Sequence, residues 1–462
     1  MLVSIFTPTH SLAFLGDAAQ SIHNLRPVPG VTVEWLVGVN GGLKADSALD
    51  AVLAPAHDSL TTVVVFECPK ETWGSVGALK RHLCDSVDPQ SELLIELDHD
   101  DMLARQAIQV LVMAYRQGAD LIYSSGATFH ESTLQGRTFS THFGWTSYKV
   151  RPDMPGTRIH NIELDAQEAF EPSAQSFSQI LWAPDHVRAW SRKCYVAAGG
   201  HDPSLKVADD YDLLCRSFLV AEKIVRIPEC LYFYRLRSDG GNTWLQNVWE
   251  IQRLCGQGVE RYPNGQEVPA FAQPLVLRDK YLHQMVEREG VVRGLPMYDL
   301  GGALGCPPGW ISVDRQGGDL HHDLVQPLPF ADSSVWAFRA FDVLEHLPPE
   351  AAARLIAEMW RCLVPGGWIL SQTPADSGVG AACDLSHASR WNTRTWAYFY
   401  HSSLMGYREQ AFPGMQASFH PVRVFETDLV CGPGPCQWTI PYVIADLVAI
   451  KGDMRYPGPH LL

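Results

Sequence analysis

The chain has 462 residues, 46% hydrophobic and 19% charged, which supplies two or three packed domains and excludes a disordered chain. Its net charge of −15 argues against duplex nucleic acid or an anionic lipid surface as a broad partner, since neither is drawn to a negative body. Eleven cysteines are scattered from Cys68 to Cys436 without a CxxC pair, so they read as reduced thiols in a cytoplasmic chain. Met1 leads directly into an apolar strand without the basic start of a secretory leader. No apolar run reaches membrane-spanning length, and Tyr442–Val448 is interrupted by Asp446.

In chain order, Leu2–Phe6 reads as a buried strand that breaks at Thr7-Pro8-Thr9-His10, with a helix to follow before Pro27. Val31–Val39 is a second strand stopped by Asn40-Gly41-Gly42, and Thr62–Phe66 a third. A helix through Gly77–Leu83 precedes a strand at Leu93–Leu97, which ends in Asp98-His99-Asp100-Asp101. Strands alternating with helices predict a mostly parallel sheet covered on both faces. The polar strand ends then share one edge, where Thr7, Asn40 and Asp98 converge. Carboxylates crowded at such a point repel one another unless a cation sits among them; the competing reading is a solvated acidic loop.

Ala119–Ser125 reads as a further strand, and residues 127–178 lack periodicity, as expected of an insertion or acceptor-side loops. His186–Trp190 reads as a short helix or a strand edge. After the turn Gly199-Gly200-His201-Asp202, a helix opens with Asp209, Asp210 and Asp212. Acids suit a first helical turn, which explains one of them better than three. Ile227–Arg235 is a late strand leading to Gly241-Asn242-Thr243.

These motifs, in this order, resemble the family 2 glycosyltransferases of the GT-A fold. The resemblance implies an inverting enzyme that uses a nucleotide-diphosphate sugar, UDP-sugar favoured, with Mn2+ or Mg2+ and a glycan or other hydroxyl acceptor. By that resemblance Thr7, Pro8, Thr9, Asn40, Asp98 and Asp209 serve the donor. Asp100, with Asp98, would hold the metal; Asp101 would brace the loop or the acceptor; and Asp210 would be the general base. Lys80 and Arg81 are candidate diphosphate contacts, with a solvated helix face as the alternative. Asn40 stands where many relatives carry an acid, and Arg237 where they often carry a histidine.

A helix at Leu277–Glu289 bridges to a second α/β pattern. Pro296–Leu300 ends in Gly301-Gly302, Trp310–Val313 ends in Asp314, and His322-Asp323-Leu324 follows. Val335–Phe341 leads into Asp342-Val343-Leu344-Glu345-His346-Leu347, then a helix at Glu350–Cys362, a Pro365-Gly366-Gly367 turn and a strand at Trp368–Ser371. This set resembles class I S-adenosylmethionine-dependent methyltransferases, with a Rossmann-like fold. It implies cofactor contacts from Asp299, Gly301, Gly302, Asp314 and Asp323, with His346 and His387 as candidate bases for methyl transfer. The first loop reads Leu300-Gly301-Gly302-Ala303 where relatives read Leu-Gly-Cys-Gly, so an inactive acceptor-binding module is the alternative. The expected division is 1–255 for the glycosyltransferase domain, 256–292 for a linker with its bridging helix, and 293–462 for the methyltransferase-like domain.

Overall fold

The structure is a computed structural model that describes residues 1–58, 60–137, 145–179, 186–255, 259–261, 267–269, 276–431 and 438–452. Cys436 lies outside the described residues, as do 256–258, 262–266 and 270–275 of the expected linker. The chain separates into two compact units, Met1–Gly256 and Gln257–Leu462. Among the described residues no helix is long and apolar enough to cross a membrane.

The first unit is built on an eleven-stranded sheet. Strands β1 (Leu2–Thr9), β2 (Thr32–Val39), β3 (Thr61–Glu67) and β4 (Ser91–Glu96) are parallel, in the order β3-β2-β1-β4. Apolar runs such as Trp35–Val39 suit strands covered on both faces by helices. The order reverses between β1 and β4, so a crevice opens beyond Thr9 and Glu96, where doubly wound sheets bind ligands.

Beyond β4 the sheet continues through β5 (Arg188–Ser191), β6 (Leu121–His130), β7 (Ile224–Leu236) and the short β8 (Met102–Leu103). β5 settles the helix-or-edge ambiguity of 186–190: it is a central strand, antiparallel to both β4 and β6, and buried throughout. The aperiodic 127–178 stretch contributes the end of β6, short strands at Gly136–Arg137, Ser147–Val150 and Leu164–Gln167, and a helix at Ala174–Gln179.

Three helices position the crevice. α1 (Leu15–His23) packs against β8, and α2 (Val76–Asp85), which packs on β1, starts at Ser75, whose Oγ accepts from the Ala78 N–H at 3.2 Å. Gly77 in α2 lets the helix meet the 202–205 turn, for a Cβ there would stand 2.2 Å from the Asp202 carbonyl oxygen. α3 (Asp209–Val220) begins after Ala208, whose φ of 61° turns the chain sharply into the helix.

The second unit has a seven-stranded sheet. The strands are β9 (Met297–Leu300), β10 (Ile311–Asp314), β11 (Leu320–His321), β12 (Val335–Phe341), β13 (Leu363–Pro374), β14 (Phe419–Cys431) and β15 (Trp438–Ala449). Their order is β11-β10-β9-β12-β13-β15-β14, parallel except where β15 pairs with β13 and β14. Here the order reverses between β9 and β12. Helices α4 (Val276–Arg293) and α5 (Pro349–Cys362) belong to this unit. Asp446 sits inside buried β15 because Arg423 Nη2 lies 2.5 Å from it and His283 Nε2 3.1 Å.

Candidate functional site

Asp98-His99-Asp100-Asp101 follows β4 and is clamped by β7. Tyr232 donates its hydroxyl to Asp101 Oδ2 at 2.9 Å and accepts the Asp98 N–H at 3.1 Å. The Arg235 N–H donates to Asp101 Oδ1 at 2.7 Å, while its side chain donates to the Asp100 carbonyl and to Asp17 Oδ2, each at 2.7 Å. Asp101 therefore braces the loop. Burial, with Asp100 and Asp98 close by, pushes its carboxyl well above the usual range. Asn242 holds the far end of β7, donating to the Arg235 carbonyl at 2.8 Å and accepting the Arg237 N–H at 2.9 Å.

Asp98 and Asp100 are left facing the crevice. Among the described residues neither carboxylate accepts a hydrogen bond from another side chain; His186 Nε2 lies 4.0 Å from Asp98 and Arg237 Nη1 3.9 Å from Asp100. Burial raises the Asp100 carboxyl, and Asp98 raises it further. A divalent cation would relieve that repulsion. Two carboxylates, with substrate phosphates completing the shell, are how hard cations are commonly held, so these residues fit Mn2+ or Mg2+.

Behind the loop lies a buried charge array. Glu96, fully buried, accepts from Lys80 Nζ and lies 3.7 Å from Arg188 Nη1 and 3.9 Å from His186 Nε2. Arg188 donates to Asp210 Oδ2 at 2.5 Å. Lys80 is also 3.8 Å from Asp209, which is 3.7 Å from His201 Nε2. Asp212 pairs with Arg216, whereas Asp209 and Asp210 share Lys80 and Arg188, respectively, with Glu96. Burial works against charge on Lys80, yet Asp209, Glu96, Asp98 and Asp210 hold its ammonium well above the usual range. Burial likewise opposes ionisation of Asp210, but Arg188 and Lys80 hold its carboxyl below the usual range. Asp209, with less compensation, is pushed up to about 7 by burial.

Several expected donor contacts give way to structural roles. The Thr7 side chain is buried, its Oγ1 accepting from Trp35 Nε1 at 2.9 Å. Lys80 is enclosed by Glu96 and Asp209, and Asp209 is itself buried, so both are engaged in structural ion pairs. Thr9 Oγ1 donates to the Ser11 carbonyl at 2.8 Å, and Pro8 has no N–H to donate. Asn40 donates from its amide to the Thr9 carbonyl at 3.0 Å, which leaves its amide oxygen for a ligand. Arg81 turns to Asp85 on its own helix and to the Gly199 carbonyl. Glu96, His186 and Arg188 were not legible as site residues; the one signal was an acid closing an apolar strand at Glu96.

In the second unit, Gly301 has a φ of 72°, and a Cβ there would stand 2.5 Å from Val343 Cγ2. A glycine is required at this exposed position, since both the left-handed backbone and the Val343 side chain exclude a Cβ. Asp314 ends β10 half-buried, taking the Gln316 N–H at 2.9 Å through one oxygen. Asp323, also half-buried, takes the Val325 N–H at 3.2 Å. Asp299 departs from expectation: it is buried and paired with Arg339 at 2.7 Å, and it lies against Gly302. Gly301 and Asp314 therefore fit S-adenosylmethionine, whereas Asp299 supports the loop from beneath. His346 and His387 stand edge to face, ring centroids 4.8 Å apart.

Residues 311–371 match the family model described as a methyltransferase domain. Comparison with curated proteins gives no match. Among solved structures the chain is similar to S. aureus TarS 1-349, at 13% identity over 67% of this chain and 76% of that one, TM-score 0.37. It is similar to the mannosyltransferase PcManGT from Pyrobaculum calidifontis in complex with GDP-Man and Mn2+, at 13% identity over 66% and 76%, TM-score 0.38. A SAM-dependent methyltransferase structure from Methanosarcina mazei matches at 13% identity over 34% and 92%, TM-score 0.24. The chain thus joins a doubly wound α/β unit, with the strand order expected for a GT-A domain, to a second α/β unit in which residues 311–371 match a methyltransferase-domain model.

Proposed function

We propose that the first unit is an inverting glycosyltransferase that moves a sugar from a nucleotide-diphosphate donor to a hydroxyl acceptor. Asp98 and Asp100 would hold Mn2+ or Mg2+, which when bound offsets the charge that grows on the departing diphosphate. Asp210 takes the proton of the acceptor hydroxyl as its oxygen attacks the anomeric carbon and the bond to diphosphate breaks. Arg188 orients Asp210 and keeps it ionised. Asn40, with its amide oxygen open, suits the N–H of a uracil ring, so UDP-sugars are the first donors to test.

One observation carries this reading. Asp98 and Asp210, far apart in sequence, are linked through His186, Glu96 and Arg188, and these two carboxylates are the members of that array with substantial exposure, 32% and 24%. A donor-side acid and an acceptor-side base would thus share one buried charge network.

We further propose that the second unit methylates the sugar or its acceptor with S-adenosylmethionine, seated on Gly301 and Asp314. The alternative, an acceptor-binding module without methyl transfer, draws on the engagement of Asp299 by Arg339. The test is a donor panel with Mn2+ or Mg2+, scored by nucleotide diphosphate release, with Asp100→Ala and Asp210→Asn beside the wild type. Equal release by all three proteins across the panel sinks the glycosyltransferase reading. Thermal stabilisation by S-adenosylmethionine or its demethylated product supports the second unit's activity, and no response at saturation favours the binding module.

A further inference from the structure

Glu345, His346 and His387 lie together beyond the carboxyl end of β12, at the point where the second sheet reverses its strand order. One donor atom from each lies within 4.8 Å of the other two. Glu345 is 2% exposed, and among the described residues neither carboxylate oxygen has a hydrogen-bond partner, nor does the buried His387 Nδ1. A carboxylate left so is costly unless something else fills the space it faces. Here that space is bounded by two imidazoles.

The geometry is held from outside the cluster. The Glu345 carbonyl accepts the N–H groups of Ala388 at 2.7 Å and Ser389 at 3.0 Å, which staples the 344–346 turn to the segment carrying His387. Ser389 Oγ adds a bond to the Leu344 carbonyl at 2.9 Å. The tautomer of His346 follows from its neighbours. Ser386 gives its hydroxyl proton to Asp384 Oδ1 at 2.6 Å, so its oxygen accepts from His346 Nδ1 at 3.0 Å. Nδ1 then carries the hydrogen, and Nε2 keeps its lone pair. A second-shell hydrogen bond of this kind is how protein-bound imidazoles are set for metal ligation. Asp342 and Asp384 add negative charge near the cluster, and Asp342 has a φ of 53°, a strained backbone of the sort found at functional sites.

We propose that Glu345, His346 and His387 form a site for a divalent transition-metal ion such as Zn2+ or Mn2+. Two imidazoles and one carboxylate match the ligand set of open catalytic metal sites, with positions left for a hydroxyl-bearing ligand. Donors bound to one such ion at about 2.1 Å in a tetrahedral shell lie about 3.4 Å apart, so binding requires the three side chains to close in by up to roughly 1 Å or a little more. The two histidines act here as ligands, in place of the proton-accepting roles read from the sequence. The site is distinct from Asp98 and Asp100 and does not depend on the methyl-transfer reading.

The test uses the full chain with Asp98→Asn and Asp100→Asn, so that the first unit's carboxylates contribute no metal. Zn2+ and Mn2+ are titrated calorimetrically, and retained metal is measured by mass spectrometry after gel filtration. Retention of a single ion per chain, lost on adding Glu345→Gln or His387→Ala, supports the site. Where a buried substitution unfolds the protein, His346→Ala at the exposed member gives the same comparison, with circular dichroism as the check on folding. Co2+ substitution supplies a second readout, since its visible absorption changes in a folded variant that has lost a ligand. Metal retention and Co2+ absorption unchanged by all three substitutions overturn the proposal, as does failure of the parent protein to retain either ion.

Discussion

Arg188 donates to Asp210 at 2.5 Å while lying 3.7 Å from Glu96, so one buried guanidinium serves two carboxylates on different elements. Replacing it with methionine leaves both acids without that counter-charge, a change that costs about 3–5 kcal/mol for a buried pair. Asp210 then binds its proton more tightly, and the acid limb of the pH–rate profile moves to higher pH. Urea unfolding and initial rates across pH measure the two effects separately.

Asp210→Asn removes the proposed base and leaves the Asp98–Asp101 loop intact. Diphosphate release is expected to fall by about 10²–10⁴-fold, the usual contribution of general base catalysis. Donor affinity, measured by calorimetry with the nucleoside diphosphate, stays within about twofold of wild type.

Lys80→Met distinguishes a structural lysine from a donor contact. Glu96 and Asp209 would lose their shared cation in a closed interior, and stability is expected to fall by about 3–5 kcal/mol. At a temperature where the variant remains folded, nucleoside diphosphate binds as in wild type. A large loss of affinity in a folded variant would restore Lys80 to the donor site.

His201 is fully buried, with Tyr195 Oη 3.0 Å from its Nδ1, and burial, reinforced by Lys80, pushes its imidazole down to about 3. The unfolded chain takes up a proton near pH 6.5 and the folded chain does not. The neutral ring's contribution is therefore complete above about pH 6.5 and is lost as pH falls towards about 3, on the order of a few kcal/mol in all. His201→Gln keeps a hydrogen-bonding group without this titration. Denaturation midpoints across that window should fall less steeply for the variant than for wild type.

Gly301→Ala places a Cβ against Val343 at a left-handed position. It should cost about 1–2 kcal/mol from the backbone alone. It should also abolish thermal stabilisation by S-adenosylmethionine. Gly305→Ala, at a position with no neighbouring atom near the added Cβ, is the control.

The parallel strands were legible because each is a largely apolar run that ends in polar residues, as at Thr7–Thr9, Asn40 and Asp98. β5 was not: Arg188 sits mid-sheet in a strand of four residues, and the charge that permits it belongs to Glu96 and Asp210. The same limit hid the role of Thr7, whose partner is an indole on the next strand. Asp446 seemed only to interrupt an apolar run, because its partner Arg423 lies on another strand. Local pattern reports which residues are covered; it does not report which distant charge makes that covering tolerable.

Arg235 joins the loop carbonyl of Asp100, the helix residue Asp17 and, through its backbone, Asp101, while its guanidinium lies over the rings of Phe14 and Phe129. Such a fastening spends conformational entropy during folding, before any donor arrives. The acidic loop then meets its ligand already ordered, so the affinity of the crevice reflects charge and shape with little deduction for ordering the chain.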